Sequence, residues 1–233
     1  MSRLSAIETH HVGGRAIPLR FRESPRARRI LLTIDQGAGA AVIVLPRRAS
    51  RRAGLAFAEQ MADWLHRRLD ALPPRAAIVD GAEIPVLGKP HRIVHLPGLR
   101  GDRIEHGEIR IGGELRHLPR RVRDRLKALA RRELGGRAML KAMAIGREVT
   151  GVSVRDTRSR WGSCGRDGRM SFSWRLVLAP EPVLDYVVAH EVAHLVHAHH
   201  GPAFWNLAES LTDRADAARA WLRREGASLL RFG

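Results

Sequence analysis

The side chains best suited to chemistry lie near the C-terminal end of the sequence. His190, Glu191 and His194 form an H-E-x-x-H pattern. Residues four apart on a helix point to the same side, so the two imidazoles can bind one metal ion. Glu191 points about 100° further round the helix, where its carboxylate can take a proton from a water on the metal. The pattern therefore predicts a metal-dependent hydrolase whose general base is Glu191.

A third histidine follows at the spacing that one large class of zinc peptidases uses for its third ligand. His200 comes six residues after His194. Six residues of continuous helix turn by about 600°, which would point the ring of His200 away from the metal. We therefore expect the chain to bend between His197 and His200. His199 belongs to a residue type that tolerates the positive φ that such a bend can require.

Two other side chains compete for the third ligand position. In an unbroken helix His197 would stay on the same face as His190, and Glu209 could reach the metal from a downstream helix. The chain has one cysteine, Cys164, which excludes an internal disulfide and a cysteine-rich zinc site. Three protein ligands leave the fourth position for water, so we expect Zn2+ as the cofactor of a catalytic site.

The reactive residues are predicted to lie on a buried helix. Apolar residues surround them at Tyr186-Val187-Val188-Ala189 and Val192-Ala193, as expected of a helix that faces the core and shows polar groups only to a cleft. The helix should run from about residue 181 to 198, with Pro182 in its first turn and Gly201-Pro202 beyond its end. Two shorter helices are then expected over residues 203–211 and 215–224.

The preceding part of the chain is predicted to form strands and two helices. Apolar residues at helical spacing predict helices over residues 51–69, capped by Ser50, and 118–129. Short apolar segments bounded by turn residues predict strands at residues 30–34, 41–45, 84–87, 93–96, 104–111, 152–154 and 170–178. No internal repeat is visible. We therefore predict an α+β fold in which a β-rich region with one helix, residues 1–115, precedes the domain that carries the histidines, residues 116–233.

Three segments resemble a known family. The segment His190–Trp205, HEVAHLVHAHHGPAFW, is similar to the signature of the YgjP-like metal-dependent hydrolases, which are related to the SprT-like and WLM metallopeptidases. Ser159–Cys164 (SRWGSC) and Trp174–Pro180 (WRLVLAP) also match in order and spacing. The resemblance covers roughly the last third of the chain. It implies a zincin-like α+β catalytic domain, with the three histidines as metal ligands and the glutamate between them as base.

The sequence departs from the family pattern at three positions. His199 stands where the family usually has Asn, Gly201 where it has Ser, and Ser173 where it has Asn. None of these departures removes a ligand. The first changes the bend that must position His200.

Arg158, Arg160 and Tyr186 are further candidates for the site. The two arginines precede the strand expected to border the cleft, where a guanidinium could hold a substrate carboxylate or phosphate, or stabilise the oxyanion. Tyr186, one turn before His190, could donate a hydrogen bond to the transition state. A structural interpretation competes for each, because the arginines could cap carbonyl groups and the tyrosine could pack in the core. Cys164 is interpreted as a small buried hydrophobe.

The sequence is strongly basic. It has 41 lysine and arginine residues against 24 acidic residues, a formal net charge of +17. Basic surface gains free energy by releasing counterions from a polyanion, so the charge favours a nucleic-acid partner, although a GC-rich genome would also raise the arginine count. The alternative function is therefore a basic nucleic-acid-associated protein whose metal site is structural or, as the SprT-like resemblance implies, acts on DNA-bound proteins. The main hypothesis expects a peptide or protein substrate.

The sequence indicates no membrane partner. Its longest apolar run, Ala40–Leu45, is far too short to cross a bilayer, and Met1–Ala6 is not followed by the apolar stretch of an export signal. We therefore expect a cytoplasmic protein.

Overall fold

The computed structural model describes residues 4–157 and 160–232. The chain folds into two compact units, Met1–Pro74 and Arg75–Gly233. The division expected from the sequence, between residues 115 and 116, differs from this one because the strands of residues 83–111 share a hydrophobic core with the helices that follow them. Each unit has its own core.

The first unit contains a four-stranded sheet. Its strands are β1 (Glu8–Val12), β2 (Arg15–Glu23), β3 (Leu31–Asp35) and β4 (Ala40–Leu45). They lie in the order β1-β2-β4-β3, in which two antiparallel hairpins are joined by the parallel pair of β2 and β4. Every residue of β4 is buried, as expected of an apolar central strand. The strands predicted at residues 30–34 and 41–45 are confirmed.

Two helices, α1 (Arg51–Gln60) and α2 (Ala62–Asp70), follow this sheet. The predicted cap is confirmed, because the Ser50 hydroxyl accepts a hydrogen bond of 3.1 Å from the Ala53 amide. The sequence predicted one continuous helix, whereas the structure interrupts it at Met61. Both helices pack on the sheet and bury its apolar side chains.

The second unit begins with another four-stranded sheet of the same topology. Its strands are β5 (Glu83–Val86), β6 (Lys89–His95), β7 (Arg103–Glu105) and β8 (Glu108–Ile111). Their order, β5-β6-β8-β7, again joins two antiparallel hairpins through a parallel pair. The single strand predicted at residues 104–111 is instead the β7–β8 hairpin, which turns through positive φ at His106 and Gly107. The chain thus repeats a topology although its sequence shows no repeat.

A long helix, α3 (Leu118–Ala144), follows the second sheet. Its buried residues recur at helical spacing on one side and join the core of the second unit: Leu118, Val122, Leu126, Ala130, Leu134, Gly135, Ala138 and Ala142. The predicted helix over residues 118–129 is confirmed and runs well beyond its predicted end.

A third sheet contains β9 (Gly151–Arg155), β10 (Gly162–Cys164) and β11 (Arg169–Ser173). Its order is β10-β11-β9, so β10 lies at an edge. β11 pairs with β9 in parallel and with β10 antiparallel. The strand predicted over residues 170–178 ends at residue 173, because Trp174–Leu178 forms a buried 3-10 helix instead.

Three helices complete the chain: α4 (Glu181–Ala193), α5 (Pro202–Ser210) and α6 (Ala215–Leu229). Helix α4 contacts α3, α5, α6 and strand β10, which makes it the central element of the second unit. The mixture of helices and strands, with a β-rich N-terminal region, confirms the α+β class. Within the described residues, no helix is long and apolar enough to cross a membrane.

Candidate metal centre

Helix α4 is buried on almost every side. Nine of its 13 residues are buried, and Glu191 is the one charged side chain among them, with 5% of its surface exposed. His190 and His194 are half-buried and stand one turn apart. Burying a carboxyl group and two imidazoles in such an apolar helix costs free energy. In an ordinary surface helix the polar side chains face water instead.

Helix α4 ends at Ala193, earlier than the predicted residue 198. Its last turn tightens, because the Leu195 N–H donates to the Val192 carbonyl at 3.0 Å and the Val196 N–H to the Ala193 carbonyl at 3.1 Å. These bonds span three residues rather than four, as in a 3-10 turn. The His197 N–H still donates to the Ala193 carbonyl at 3.0 Å, so this last turn reaches His197, and the bend predicted between His197 and His200 is present at residues 198 and 199.

His199 lies in the bend, as expected, but without the positive φ that the bend was expected to require. Among the described non-glycine residues, only Leu87 and His106 have positive φ. Instead, the Gly201 N–H donates to the His199 carbonyl at 2.8 Å and closes a tight turn directly before α5. His200 lies in this turn, between His199 and Gly201, two of the three positions at which the sequence departs from the family pattern.

The turn brings His200 back beside His190 and His194. One ring nitrogen from each of the three histidines lies within 4.8 Å of the others, and the Nε2 atoms of His190 and His200 are 3.1 Å apart. The ring centres of His194 and His200 are 4.8 Å apart. His197 and Glu209, the two alternatives for the third position, do not belong to this group.

A hydrogen bond determines the tautomer of His194. Its Nδ1 lies 3.0 Å from the carbonyl oxygen of His197, and a carbonyl oxygen can only accept. Nδ1 therefore carries the hydrogen, and Nε2 carries a lone pair that is free for a ligand. Histidines that bind metals commonly have their second nitrogen oriented in this way. His197 thus contributes to the site through its backbone carbonyl, and the hypothesis that its ring is the third ligand finds no support in the geometry.

The surroundings keep two of the imidazoles neutral at pH 7. Burial, followed by the charges of His194, His200 and Arg219, lowers the pKa of His190 to about 4. Burial is also the main cause that lowers the pKa of His194. Neutral imidazoles offer lone pairs, and three rings that converge on one centre form a donor set that zinc and related metals bind. The residues present therefore fit a metal ion.

Strand β10 covers Glu191 directly. A methyl group on the Cα of Gly162 would lie 2.5 Å from Glu191 Oε1, so only glycine leaves room for the carboxyl group. Burial raises the pKa of Glu191 to about 7, an effect that the positive charge of Arg160 partly opposes. A carboxyl group that titrates near neutral pH can both accept and release a proton. Gly162 was not predicted as a site residue, although a glycine inside a strand often marks such a close approach.

Aromatic side chains of α5 pack against the three imidazoles. The Phe204 ring is fully buried, and its centre lies 4.6–4.9 Å from the ring centres of all three histidines. The Trp205 ring lies 5.5 Å from that of His200. Phe204 also forms a small core with Ala193 and Ala208, which joins α4 to α5. The position of His200 therefore depends on the packing of the helix that follows it.

A polar cluster, not predicted from the sequence, holds the other end of α5. Lys141 of α3 contacts Asp185 of α4 at 3.0 Å and donates to the Leu211 carbonyl directly after α5. The Thr212 hydroxyl donates to the same Asp185 carboxylate at 2.8 Å. Helix α5 is thus fixed at its start by the core around Phe204 and at its end by two polar contacts, those of Leu211 with Lys141 and of Thr212 with Asp185.

Arg219 of α6 also lies near the histidines and was not predicted from the sequence. Its guanidinium is 5.9 Å from the ring centre of Tyr186 and pairs with Glu209 at 2.8 Å. Glu209 is thus engaged in an ion pair and does not belong to the three-histidine group. The ring centre of Tyr186 is 6.2 Å from that of His190, and burial raises the pKa of the Tyr186 phenol, which therefore stays protonated at neutral pH.

The remaining predicted residues have different surroundings. Arg158 lies outside the described residues, and Arg160 is exposed. Cys164 is half-buried against the core, in agreement with its interpretation as a small hydrophobe. Burial, followed by the negative charges of Glu191 and Asp167, raises the pKa of the Cys164 thiol to about 11.

Comparison with known proteins gives one family. The model of the YgjP-like metallopeptidase domain matches residues 28–225. No curated protein and no solved structure gives a significant match. The matched range contains the H-E-x-x-H pattern and His200, and it extends the resemblance seen in the C-terminal motifs across most of the chain. The chain therefore belongs to the YgjP-like family of metallopeptidase domains.

Proposed function

We propose that this protein is a zinc-dependent peptidase in which His190, His194 and His200 hold the metal and Glu191 is the general base. The observation that carries the proposal is the convergence of three imidazole nitrogens within 4.8 Å of one another, next to a buried carboxyl group. Three protein ligands of this kind are typical of catalytic zinc sites. Membership of a metallopeptidase family supports peptides or proteins as substrates.

Glu191 is proposed to move the proton during hydrolysis. Its carboxylate accepts a proton from the attacking water and then, as a carboxylic acid, donates it to the amine that leaves when the peptide C–N bond breaks. A pKa of about 7 suits both steps, because the group is neither a strong acid nor fully protonated at neutral pH. The zinc ion, when bound, would polarise the substrate carbonyl and make water more acidic.

The other residues of the site orient and shield these groups. The His197 carbonyl holds His194 in the tautomer that leaves Nε2 free, and Phe204 excludes water from one side of the three rings. The protonated phenol of Tyr186 is proposed to donate a hydrogen bond to the oxyanion that forms on the substrate carbonyl. All of these residues lie within residues 116–233, the region expected to form the catalytic domain.

The substitution Glu191→Gln tests the proposed base. The amide has the size of the carboxylate but cannot accept the proton, so hydrolysis of fluorescently labelled casein should fall by about 10²–10⁴-fold. Zinc measured by inductively coupled plasma mass spectrometry should stay at one ion per chain. Glu209→Gln is the matched control, because it removes a carboxylate of α5 that pairs with Arg219. Undiminished hydrolysis by Glu191→Gln would remove Glu191 from its role.

The nucleic-acid alternative rests on the net charge of +17. It predicts that binding to duplex or single-stranded DNA weakens steeply as salt rises, because each phosphate contact releases counterions. Affinity that does not change with salt would exclude it.

A further inference from the structure

The third sheet has one face in the core and one face that lines a cavity. Met170 and Phe172 are buried in the core of the second unit and Val152 packs against it, although Val152 and Met170 also border the cavity. The residues that alternate with them point to the opposite side and line a cavity of about 410 Å³. Gly162, which touches Glu191, pairs with Phe172 and therefore lies on the core side of β10. The cavity and Glu191 thus lie on opposite faces of the same edge strand.

Serine side chains form a row across the outer face. Ser163, Ser171 and Ser153 lie opposite one another in the register of the three strands. The Ser153 hydroxyl donates to the Met170 carbonyl at 3.3 Å. The hydroxyls of Ser163 and Ser171 have no hydrogen-bond partner among the residues that the structure describes. These short side chains leave room for a ligand and offer it two free donors.

The cavity also has more positive than negative charge. Its acidic residue, Asp167, pairs with Arg169 at 3.5 Å. Arg155 at the end of β9 and Arg160 before β10 also line the cavity, are exposed, and pair with no carboxylate within residues 4–157 and 160–232. Two free guanidinium groups, which can only donate, stand beside two free hydroxyls that can also donate, and this arrangement complements a carboxylate.

The cavity lies next to the proposed metal centre. The charge of Arg160 acts on the Glu191 carboxyl group, so the two side chains are within electrostatic range. Ser163, which faces the cavity, directly follows Gly162, which contacts Glu191. Because β10 is an edge strand, the two faces of the sheet meet at its free edge. A peptide cut beside Glu191 would therefore have its neighbouring side chains within reach of the cavity.

We propose that this serine–arginine cavity binds an acidic side chain of the peptide substrate, with Arg155 and Arg160 pairing with the carboxylate and Ser163 and Ser171 donating hydrogen bonds to it. Acidic peptides are then the preferred substrate class, and in this respect the inference rests on the proposed function. A single-stranded nucleic acid fits less well. Sites for single strands use aromatic side chains for base stacking, and none is among the described residues that line the cavity.

The test measures binding, so its result does not depend on whether the protein cleaves peptides. The full-length protein is titrated at low salt into a fluorescein-labelled peptide of alternating glutamate and glycine, and fluorescence anisotropy is recorded. The reference peptide has glutamine in place of each glutamate. We expect the acidic peptide to bind at least about tenfold more tightly, because its carboxylates form charge-assisted hydrogen bonds. The double variant Arg155→Gln/Arg160→Gln should lose this preference.

A second double variant, Arg100→Gln/Arg131→Gln, is the control. It removes the same charge from exposed arginines of the second unit that do not line the cavity, so it should bind like the unsubstituted protein. Equal weakening in both double variants, or no difference between the two peptides, would overturn the proposal. Tighter binding of labelled oligothymidylate that depends on Arg155 and Arg160 would overturn it in favour of nucleic acid.

The hydrolysis assay separates this inference from the proposed function. If the protein binds the acidic peptide selectively but cleaves neither casein nor the peptide, the result would support the proposed binding cavity and contradict the proposed peptidase activity. Cleavage without selectivity for acidic peptides would support the peptidase and contradict the cavity.

Discussion

Two sheets of this chain have the same topology, and only one of them belongs to the unit that contains the candidate metal centre. The first sheet, β1 to β4, is followed by α1 and α2, with which the first unit ends. The second sheet, β5 to β8, is followed by α3, which packs against α4 and β9. The strand order therefore does not create the site, which depends on the third sheet and on helices α4 and α5.

Histidines of the two units also differ in the hydrogen bonding of their ring nitrogens. In the first unit, His66 Nε2 lies 2.9 Å from the Val12 carbonyl, which can only accept, so the ring N–H is satisfied within the fold. In the second unit, the Nε2 atoms of His190 and His200 face each other, and His190 Nδ1 is buried without a partner among the described residues. The first arrangement is complete in itself, whereas the second is suited to bind a cation.

The largest expected effect comes from removing one histidine from each unit. His194→Ala should abolish stoichiometric zinc binding and measurable hydrolysis, because two remaining ligands hold the metal too weakly. His66→Ala should keep both and lower the free energy of unfolding by about 1 kcal/mol through the lost hydrogen bond. Zinc analysis, casein hydrolysis and urea unfolding of both variants check this prediction. One zinc per chain in His194→Ala would contradict the ligand assignment.

A smaller effect is expected from two crowded glycines, one in each unit. A methyl group on Gly162 would lie 2.5 Å from Glu191 Oε1, whereas one on Gly54 would lie 2.9 Å from an Ile43 methyl group. Gly162→Ala should therefore displace the Glu191 carboxyl group and lower kcat by about 100-fold, with zinc still bound.

Gly54→Ala should affect stability and not catalysis. Overpacking costs about 1–3 kcal/mol, and the better helix propensity of alanine offsets about 0.5–1 kcal/mol of it. Thermal unfolding and kcat of both variants give the comparison. An unchanged kcat for Gly162→Ala would show that the contact with β10 does not position Glu191.

The smallest expected effect concerns the reactivity of a thiol in each unit. Burial and the nearby charges of Glu191 and Asp167 raise the pKa of Cys164 to about 11, so its reactive thiolate is scarce at pH 8 and increases until the pH passes about 11. A second thiol introduced by Ala56→Cys on the exposed side of α1 provides the reference. At pH 8, iodoacetamide should modify Cys164 at least about tenfold more slowly than this reference.

Mass spectrometry of peptides from the alkylated protein gives both rates. Glu191→Gln should make Cys164 react faster, because it removes one of the negative charges that oppose the thiolate. Equal alkylation rates at the two positions would contradict a raised pKa of the Cys164 thiol.

Local spacing was sufficient to predict from the sequence that His190 and His194 lie side by side on a helix with Glu191 next to them. Residues four apart share a face of a helix whatever surrounds it, so the geometry of this group follows from the helix alone. The Ser50 cap and the buried side of α3 were predictable for the same reason, because each depends on a hydrogen bond or a period within a few residues. The α+β class likewise follows from the order of strands and helices.

The path of the chain after Ala193 could not be predicted in this way. Local rotation correctly placed a bend between His197 and His200 but not its geometry, which depends on α5, where Phe204 packs against Ala193 and Lys141 binds the Leu211 carbonyl. The fit of Glu191 against Gly162 is equally non-local. These contacts join residues far apart in the sequence, so no short spacing of residue types along the chain predicts them. The third imidazole therefore reaches the other two only when the helices have packed.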